Sequence, residues 1–298
     1  MHILEKHDSL KARSSKLKLL ARGIADGMKT GSFRSIYKGQ GIEFSGVREY
    51  LQGDDIRNLD WNVTARMGKP FVKTFDEEKE LVLFIILDRS LSMMTGSRGK
   101  TKLEVASEAA ALLTLAAEQN NSPTGAIFFD SKTRFSCSPK SGKDHSMLIF
   151  TKLDSLNEKT TRGSSLQGAL KAGLKILKKR ALVFIFSDFR TTGYETDLAR
   201  LAQKHDVVAF CCTDRTDIEL PEVGCIPFVD VETNTKKILQ TSHPAFKRAW
   251  RKAFEERQEK WKSICAKRGV ATQTLSTADD PVAVLTRFFS LMNRILKK

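Results

Sequence analysis

Histidine, proline, tyrosine and tryptophan are scarce in this chain, at 5, 7, 3 and 3 among 298 residues. His2, His7, His145, His205 and His243 are scattered, and no credible nucleophile–base–orienter triad can be placed among them. The cysteines number 5, an odd count without metal-type spacing. Cys211 and Cys212 are neighbours in an apolar run, so in a strand they point to opposite faces. A zinc site or disulfide framework is therefore not expected, and reduced thiols in a reducing compartment are. The longest apolar runs, such as LVLFIIL and ALVFIF, fall far short of the roughly twenty residues of a spanning helix. The start, MHILEKHDSLKARSSKLK, is basic without an apolar stretch behind it. These features lead to the expectation of a cytoplasmic protein.

What the chain does have is apolar content and positive charge. With 41% hydrophobic residues and only 18 Gly it is too apolar to be disordered and long enough for a large core. One large domain with an appendage, or two domains, fits that length. The net charge of +15 favours acidic partners, nucleic acid or an anionic membrane face without choosing among them.

Residues 5 to 30 carry Leu10, Leu17, Leu20 and Ile24 at helical spacing among basic residues, which predicts an amphipathic helix whose apolar stripe packs on the protein's own body. Residues 39 to 66, rich in glycine, aromatics and charges of both signs, read as irregular loops with short strands. Pro70 to Phe75 alternates like an edge strand. From Leu81 the pattern becomes alternating strand and helix. LVLFIILD is followed by a helix over 102–120, strands at 125–129 and 134–137, helices near 144–156 and 164–179, and the strand ALVFIFSD. A helix near 195–204, a strand at 207–212, a β excursion within 222–243, a helix over 244–267, a strand at 270–275 and a helix over 281–296 complete the order. Such alternation predicts an α/β fold, a doubly wound and mostly parallel sheet covered on both faces, with an N-terminal helix and loop/β appendage. The boundary is drawn at the pattern change, giving an N-terminal segment 1–78 and a main domain 79–298.

Two apolar stretches, LVLFIILDRSLS and ALVFIFSDFR, run straight into Asp88 and Asp188. In open α/β sheets ligands collect outside the carboxyl ends of strands. Asp88 is followed by Ser90 and Ser92, one carboxylate and two hydroxyls within a tight turn, and hard oxygen donors at that density point to magnesium, or manganese. Between the two strands, TTRGSSL offers hydroxyls at a glycine turn, with Ser164 the first choice as a further donor. Asp and Ser after a strand also serve as helix caps and turn formers. The second strand ending in Asp188 and the hydroxyl-rich loop favour a metal set of Asp88, Ser90, Ser92, Ser164 and Asp188. With neutral hydroxyls as direct ligands and the aspartates acting through water, the ion keeps most of its charge and attracts a carboxylate from another molecule.

The order DRSLS, TRGSSL, FSD resembles the von Willebrand factor type A (vWA) domain with its metal-ion-dependent adhesion site (MIDAS). The preceding residues Glu43-Phe44, Val47 to Tyr50, Gly53 to Asp55, Arg57, Asp60-Trp61 and Ala65-Arg66, followed by DRSLSM, resemble the domain of unknown function 58 (DUF58) family. That resemblance implies a cytoplasmic bacterial protein, a non-enzymatic module for protein–protein interaction whose vWA-like domain works beside a MoxR-type AAA+ ATPase in chaperone-like assembly or maturation. The chain departs from the resemblance in its middle loop, where Ser164 stands for the usual threonine and Ser165 for a frequent acid, and Arg89 adds positive charge inside the first motif. These departures point to a weak cation site, or one dependent on a partner's acid.

Other readings start from other residues. In Arg48, Glu49, Asp54, Asp55, Arg57, Asp60 and Arg66 the favoured role is an internal ion-pair network that fixes loops. The basic clusters Lys171 to Arg180 and Lys247 to Arg257 read by default as solvated helix faces, with nucleic-acid binding possible in principle but not favoured. A magnesium-dependent phosphoryl-transfer enzyme or nuclease lacks its general acid, since Ser90 stands where an acid two positions after the nucleophile is needed.

Overall fold

The structure is a computed structural model that describes residues 41–78, 81–97, 99–155, 163–229 and 236–295. The helix expected over 5–30 and the loop residues Thr160 to Arg162 lie outside the described residues. The chain divides into two compact units, one spanning residues 32–81 and the other running from Val82 onward.

In the smaller unit, β1 (Gly41–Glu49) pairs antiparallel with β2 (Phe71–Glu78), with a bulge between Phe44 and Gly46. The connection holds a 3₁₀ turn (Ile56–Asn58) capped by Asp55 and a helix, α1 (Trp61–Met67). A helix here differs from the irregular loop expected of this stretch. Asp60 caps it by accepting from the Asn62 and Val63 amides, and Gly68, at φ 68°, ends it in the left-handed conformation that glycine adopts without strain. Arg48 forks onto Asp54 through two 2.7 Å bonds, and Asp54 also accepts from the Leu51 amide. The hydrogen bond from Arg48 holds the Asp54 carboxyl below its ordinary range. Arg48 and Asp54 thus fix one turn of the charged block from within.

The larger unit is built on a six-stranded sheet: β3 (Leu83–Asp88), β4 (Thr124–Phe129), β5 (Thr133–Lys140), β6 (Leu182–Ser187), β7 (Asp206–Thr213) and β10 (Ala271–Ser276). Their spatial order is β10-β7-β6-β3-β4-β5, and every pairing is parallel except that of β5 with β4. This is the doubly wound α/β architecture expected from the sequence. The hairpin β8 (Cys225–Val229) and β9 (Lys236–Gln240) is a separate two-stranded sheet. The helices are α2 (Lys102–Gln119), α3 (Lys143–Asp154), α4 (Leu166–Ile176), α5 (Glu195–Lys204), the one-turn α6 (Arg215–Ile218), α7 (Pro244–Ala266) and α8 (Pro281–Ile295).

Strands β3, β4 and β6 are buried at every position. Their continuous apolar runs follow from helices covering both faces. One face carries Phe84, Ile86, Ile127, Val183, Ile185 and Ala209 against Leu166, Leu170, Leu198, Leu201 and Trp261. On the other, Phe184 and Phe210 meet Phe288 of α8 with ring centroids 6.2 and 5.9 Å apart. The buried α2 is rich in alanine, which allows close approach, and begins with a capping box between Thr101 and Glu104. Gly125 of β4 is equally demanding, since a Cβ there would lie 2.8 Å from the Phe84 ring and 2.9 Å from the Cys137 carbonyl. The edge strand β5 alternates between exposed and half-buried residues, contains Pro139, and is bulged against β4.

The chain leaves β3 for β4 on one side and later returns to place β6 on the other. The strand order therefore reverses between β3 and β6, which is where open α/β sheets form their binding crevice. Asp88 ends β3 and Asp188 directly follows β6.

Candidate metal centre

Asp88 is completely buried, and each of its oxygens is occupied. Oδ1 accepts from the Ser90 amide at 2.9 Å. Oδ2 accepts from the Ser164 hydroxyl at 3.0 Å and from the Ser187 hydroxyl at 2.7 Å. The Ser90 and Ser92 hydroxyls stand 3.1 Å apart in the turn that follows. Four of the residues selected from sequence, Asp88, Ser90, Ser92 and Ser164, thus come together from two loops. Ser164 is delivered by a separate contact, as the Ser165 amide donates to the Asp130 carbonyl at 2.7 Å beyond the end of β4.

Asp188, the fifth, is engaged differently. Its Oδ2 accepts from Lys102 Nζ at 3.2 Å and faces Arg190 Nε at 3.5 Å. Lys102 Nζ also lies 3.5 Å from Asp217 Oδ2, and Arg190 pairs with the other oxygen of Asp217. Lys102, Asp188, Arg190 and Asp217 therefore alternate in charge around a closed ring. Asp188 remains near enough to Asp88 to influence it: burial pushes the Asp88 carboxyl up to about 6, repulsion from Asp188 adds to the rise, and hydrogen bonds from Ser187 and Ser90 oppose it.

The loop bearing Asp188 is held in an unusual conformation. Phe189 has φ 50°, in the left-handed region that a bulky residue seldom enters. Its ring packs against Tyr194 and Trp261, with centroids 5.8 and 5.3 Å away, so core packing holds the backbone there. Asp188 and Arg190, on either side of Phe189, both reach the ionic ring.

Magnesium prefers six oxygens at about 2.0–2.1 Å, which puts neighbouring octahedral ligands about 2.9 Å apart. Asp88, Ser90, Ser92 and Ser164 present oxygen donors only, the ligand type a hard divalent cation takes, and their Ser90–Ser92 and Ser164–Asp88 oxygens lie at hydrogen-bonding separations of 3.1 and 3.0 Å. Among the described residues no group of three His, Cys, Asp or Glu side chains is placed to hold a metal, and a cation in this crevice would have to draw most of its protein ligands from hydroxyls. When bound, such an ion offers a positive centre to an incoming oxygen ligand. The Ser90 amide and the Ser164 and Ser187 hydroxyls hold the Asp88 carboxylate in place where it is fully buried.

Sequence reasoning missed several participants. Asp130 and Asp214 follow the apolar runs AIFFD and VVAFCCTD, the same signal that identified Asp88 and Asp188. Asp214 accepts from the Ser97 amide and hydroxyl, the Thr216 hydroxyl and the Thr277 hydroxyl, at 2.6–3.0 Å. Burial pushes its carboxyl up, but these hydrogen bonds outweigh burial and hold it well below the ordinary range. Asp214 is thus a tie between loops. Ser187 lies within the FSD motif but is not among the residues selected from sequence. Nothing in sequence marks Lys102, the first residue of a helix, as buried.

The family model described as "Protein of unknown function DUF58" matches residues 46–260. Relatives include "Uncharacterized protein Rv1480" of Mycobacterium tuberculosis and "Uncharacterized protein Mb1516" of Mycobacterium bovis, each 26% identical over 290 residues that make up 96% of this chain and 90% of the relative. Among solved structures, conserved hypothetical protein BatB from Bacteroides thetaiotaomicron aligns over 72% of this chain and 99% of its own at 15% identity, with a TM-score of 0.46. The SpRpn10 VWA domain aligns over 70% and 94% at 11% identity, with a TM-score of 0.39.

Proposed function

We propose that this chain, which belongs to the DUF58 family and has a vWA-like α/β fold, is a non-enzymatic, magnesium-dependent module that binds another protein through an acidic side chain. The observation that carries the reading is the meeting of Asp88, Ser90, Ser92 and Ser164 at the point where the strand order reverses. Three neutral hydroxyls around one carboxylate leave a divalent ion short of negative charge, and a carboxylate from outside supplies it. Manganese is a chemically equivalent occupant. The family resemblance makes a MoxR-type AAA+ ATPase in the cytoplasm the expected partner, with assembly or maturation of other proteins as the shared task. No helix among the described residues is long and apolar enough to cross a membrane.

The test has two arms. Calorimetric titration with Mg²⁺ or Mn²⁺ should show binding that Asp88→Ala abolishes; unchanged binding in that variant removes the site. A MoxR-type ATPase from the same genome should be retained by the immobilised protein in magnesium, released by chelator and lost with Asp88→Ala. Turnover of phosphate esters or nucleic acids that depends on Asp88 would establish the enzyme reading instead. Binding to DNA or RNA that survives raised salt and ignores Asp88 would favour a nucleic-acid role.

A further inference from the structure

Lysine is almost never fully buried unless paired, and a cation at a helix N-terminus opposes the helix dipole. Lys102 meets both penalties: it is the first residue of α2, and its side chain is only 1% exposed. Its ammonium lies between Asp188 Oδ2 and Asp217 Oδ2, at 3.2 and 3.5 Å, while Arg190 joins the same two carboxylates from a more exposed position. Each of these acids is therefore matched by a fixed cation of the protein. Arg257 adds positive charge in this region: burial lowers its pKa and Arg190 repels it, while Asp217 and Asp188 pull the other way.

Resting on the magnesium reading above, we propose that Lys102 is a built-in cation that prevents the crevice from holding a divalent ion firmly by itself, so that the ion and a partner's carboxylate enter together. Asp88 is the one acid of the site whose charge the ring leaves unmatched. A divalent ion beside Asp88 and three hydroxyls leaves excess positive charge in a buried place, while the buried ammonium of Lys102 already engages Asp188, the neighbouring acid that would otherwise balance it. Buried excess charge is costly, and an arriving carboxylate removes the cost. Ion and carboxylate then favour each other's binding by the same factor, as thermodynamic linkage requires. The crevice stays assembled without an ion because the ring already ties the start of α2 to the loops after β6 and β7.

The test is titration of the full chain with magnesium, with and without acetate as a surrogate carboxylate, comparing wild type with Lys102→Met and Lys102→Gln. Met keeps the apolar stem, and Gln keeps a donor toward Asp188 should Met fail to fold. The expected result is weak magnesium binding by wild type that acetate strengthens. A folded Lys102 variant should bind at least about tenfold more tightly without acetate, from the loss of a nearby unit charge. Acetate should add little to that variant. Thermal midpoints should mirror this, with the variant less stable in chelator and regaining stability in magnesium. Binding by wild type with no tightening in either variant overturns the role of Lys102 and leaves the magnesium reading standing. Absence of magnesium binding in wild type and variants alike overturns both.

Discussion

The Ser187 hydroxyl donates to Asp88 Oδ2 at 2.7 Å, joining the last residues of the two central strands across the point where strand order reverses. The same oxygen atom of Ser187 accepts the Phe189 amide at 3.1 Å, so one side chain fixes both the acid of β3 and the loop after β6.

Ser187→Ala should therefore destabilise the fold by about 1 kcal/mol, the usual net value of a buried hydrogen bond, with more if both bonds are left unmade. Urea denaturation measures it. Because the Ser187 bond opposes the rise in the Asp88 pKa, the variant should also move that pKa upward. A stability equal to wild type would show that water replaces the hydroxyl.

Stability in chelator should fall as pH rises from about 4 to about 6. Asp88 is pushed up from 3.8 to about 6 by burial first and by Asp188 second, so within that window the folded chain holds a proton that the unfolded chain has released. Asp88→Asn should flatten this part of the profile, as read from denaturation midpoints across pH.

His205 gives the opposite slope. It is buried with neither ring nitrogen hydrogen-bonded among the described residues, and burial, helped by Lys204, lowers its pKa from 6.5. The unfolded chain binds the proton first as pH falls below that value, so this contribution to stability is present above pH 6.5 and is lost as pH falls through the lower folded value. His205→Leu should remove the slope and, by relieving two unsatisfied polar atoms, raise stability at neutral pH by about 1 kcal/mol.

Gly125→Ala tests the close approach of β4 to its neighbours. The added methyl meets the Phe84 ring on one side and backbone of β5 on the other, and only the ring can yield. A loss of about 1–3 kcal/mol is expected from overpacking, measurable as a lower denaturation midpoint.

The alternation of elements after Leu81 was legible because buried parallel strands and amphipathic helices leave different periods in sequence. The strand ends at Asp88 and Asp188 were legible for the same reason: an abrupt change from apolar residues to an acid. Less could be read where structure depends on contacts distant along the chain. Helix α1 is too short for a period and rests on caps at Asp60 and Gly68. Lys102 looks like an ordinary helical lysine until Asp188 and Asp217, which lie 86 and 115 positions away in sequence, converge on it. The left-handed turn at Phe189 is similarly hidden, since the residue type argues against it and only Tyr194 and Trp261 hold it in place.

The sheet's antiparallel border has a bearing on how this molecule can associate. Pro139 has no amide hydrogen to offer, and the bulge in the pairing of β5 with β4 beside it distorts the strand, two features by which sheet edges discourage the addition of a further strand. A neighbour that tried to add its backbone there would find the row of bonding groups broken, which guards the protein against indiscriminate self-association along that border.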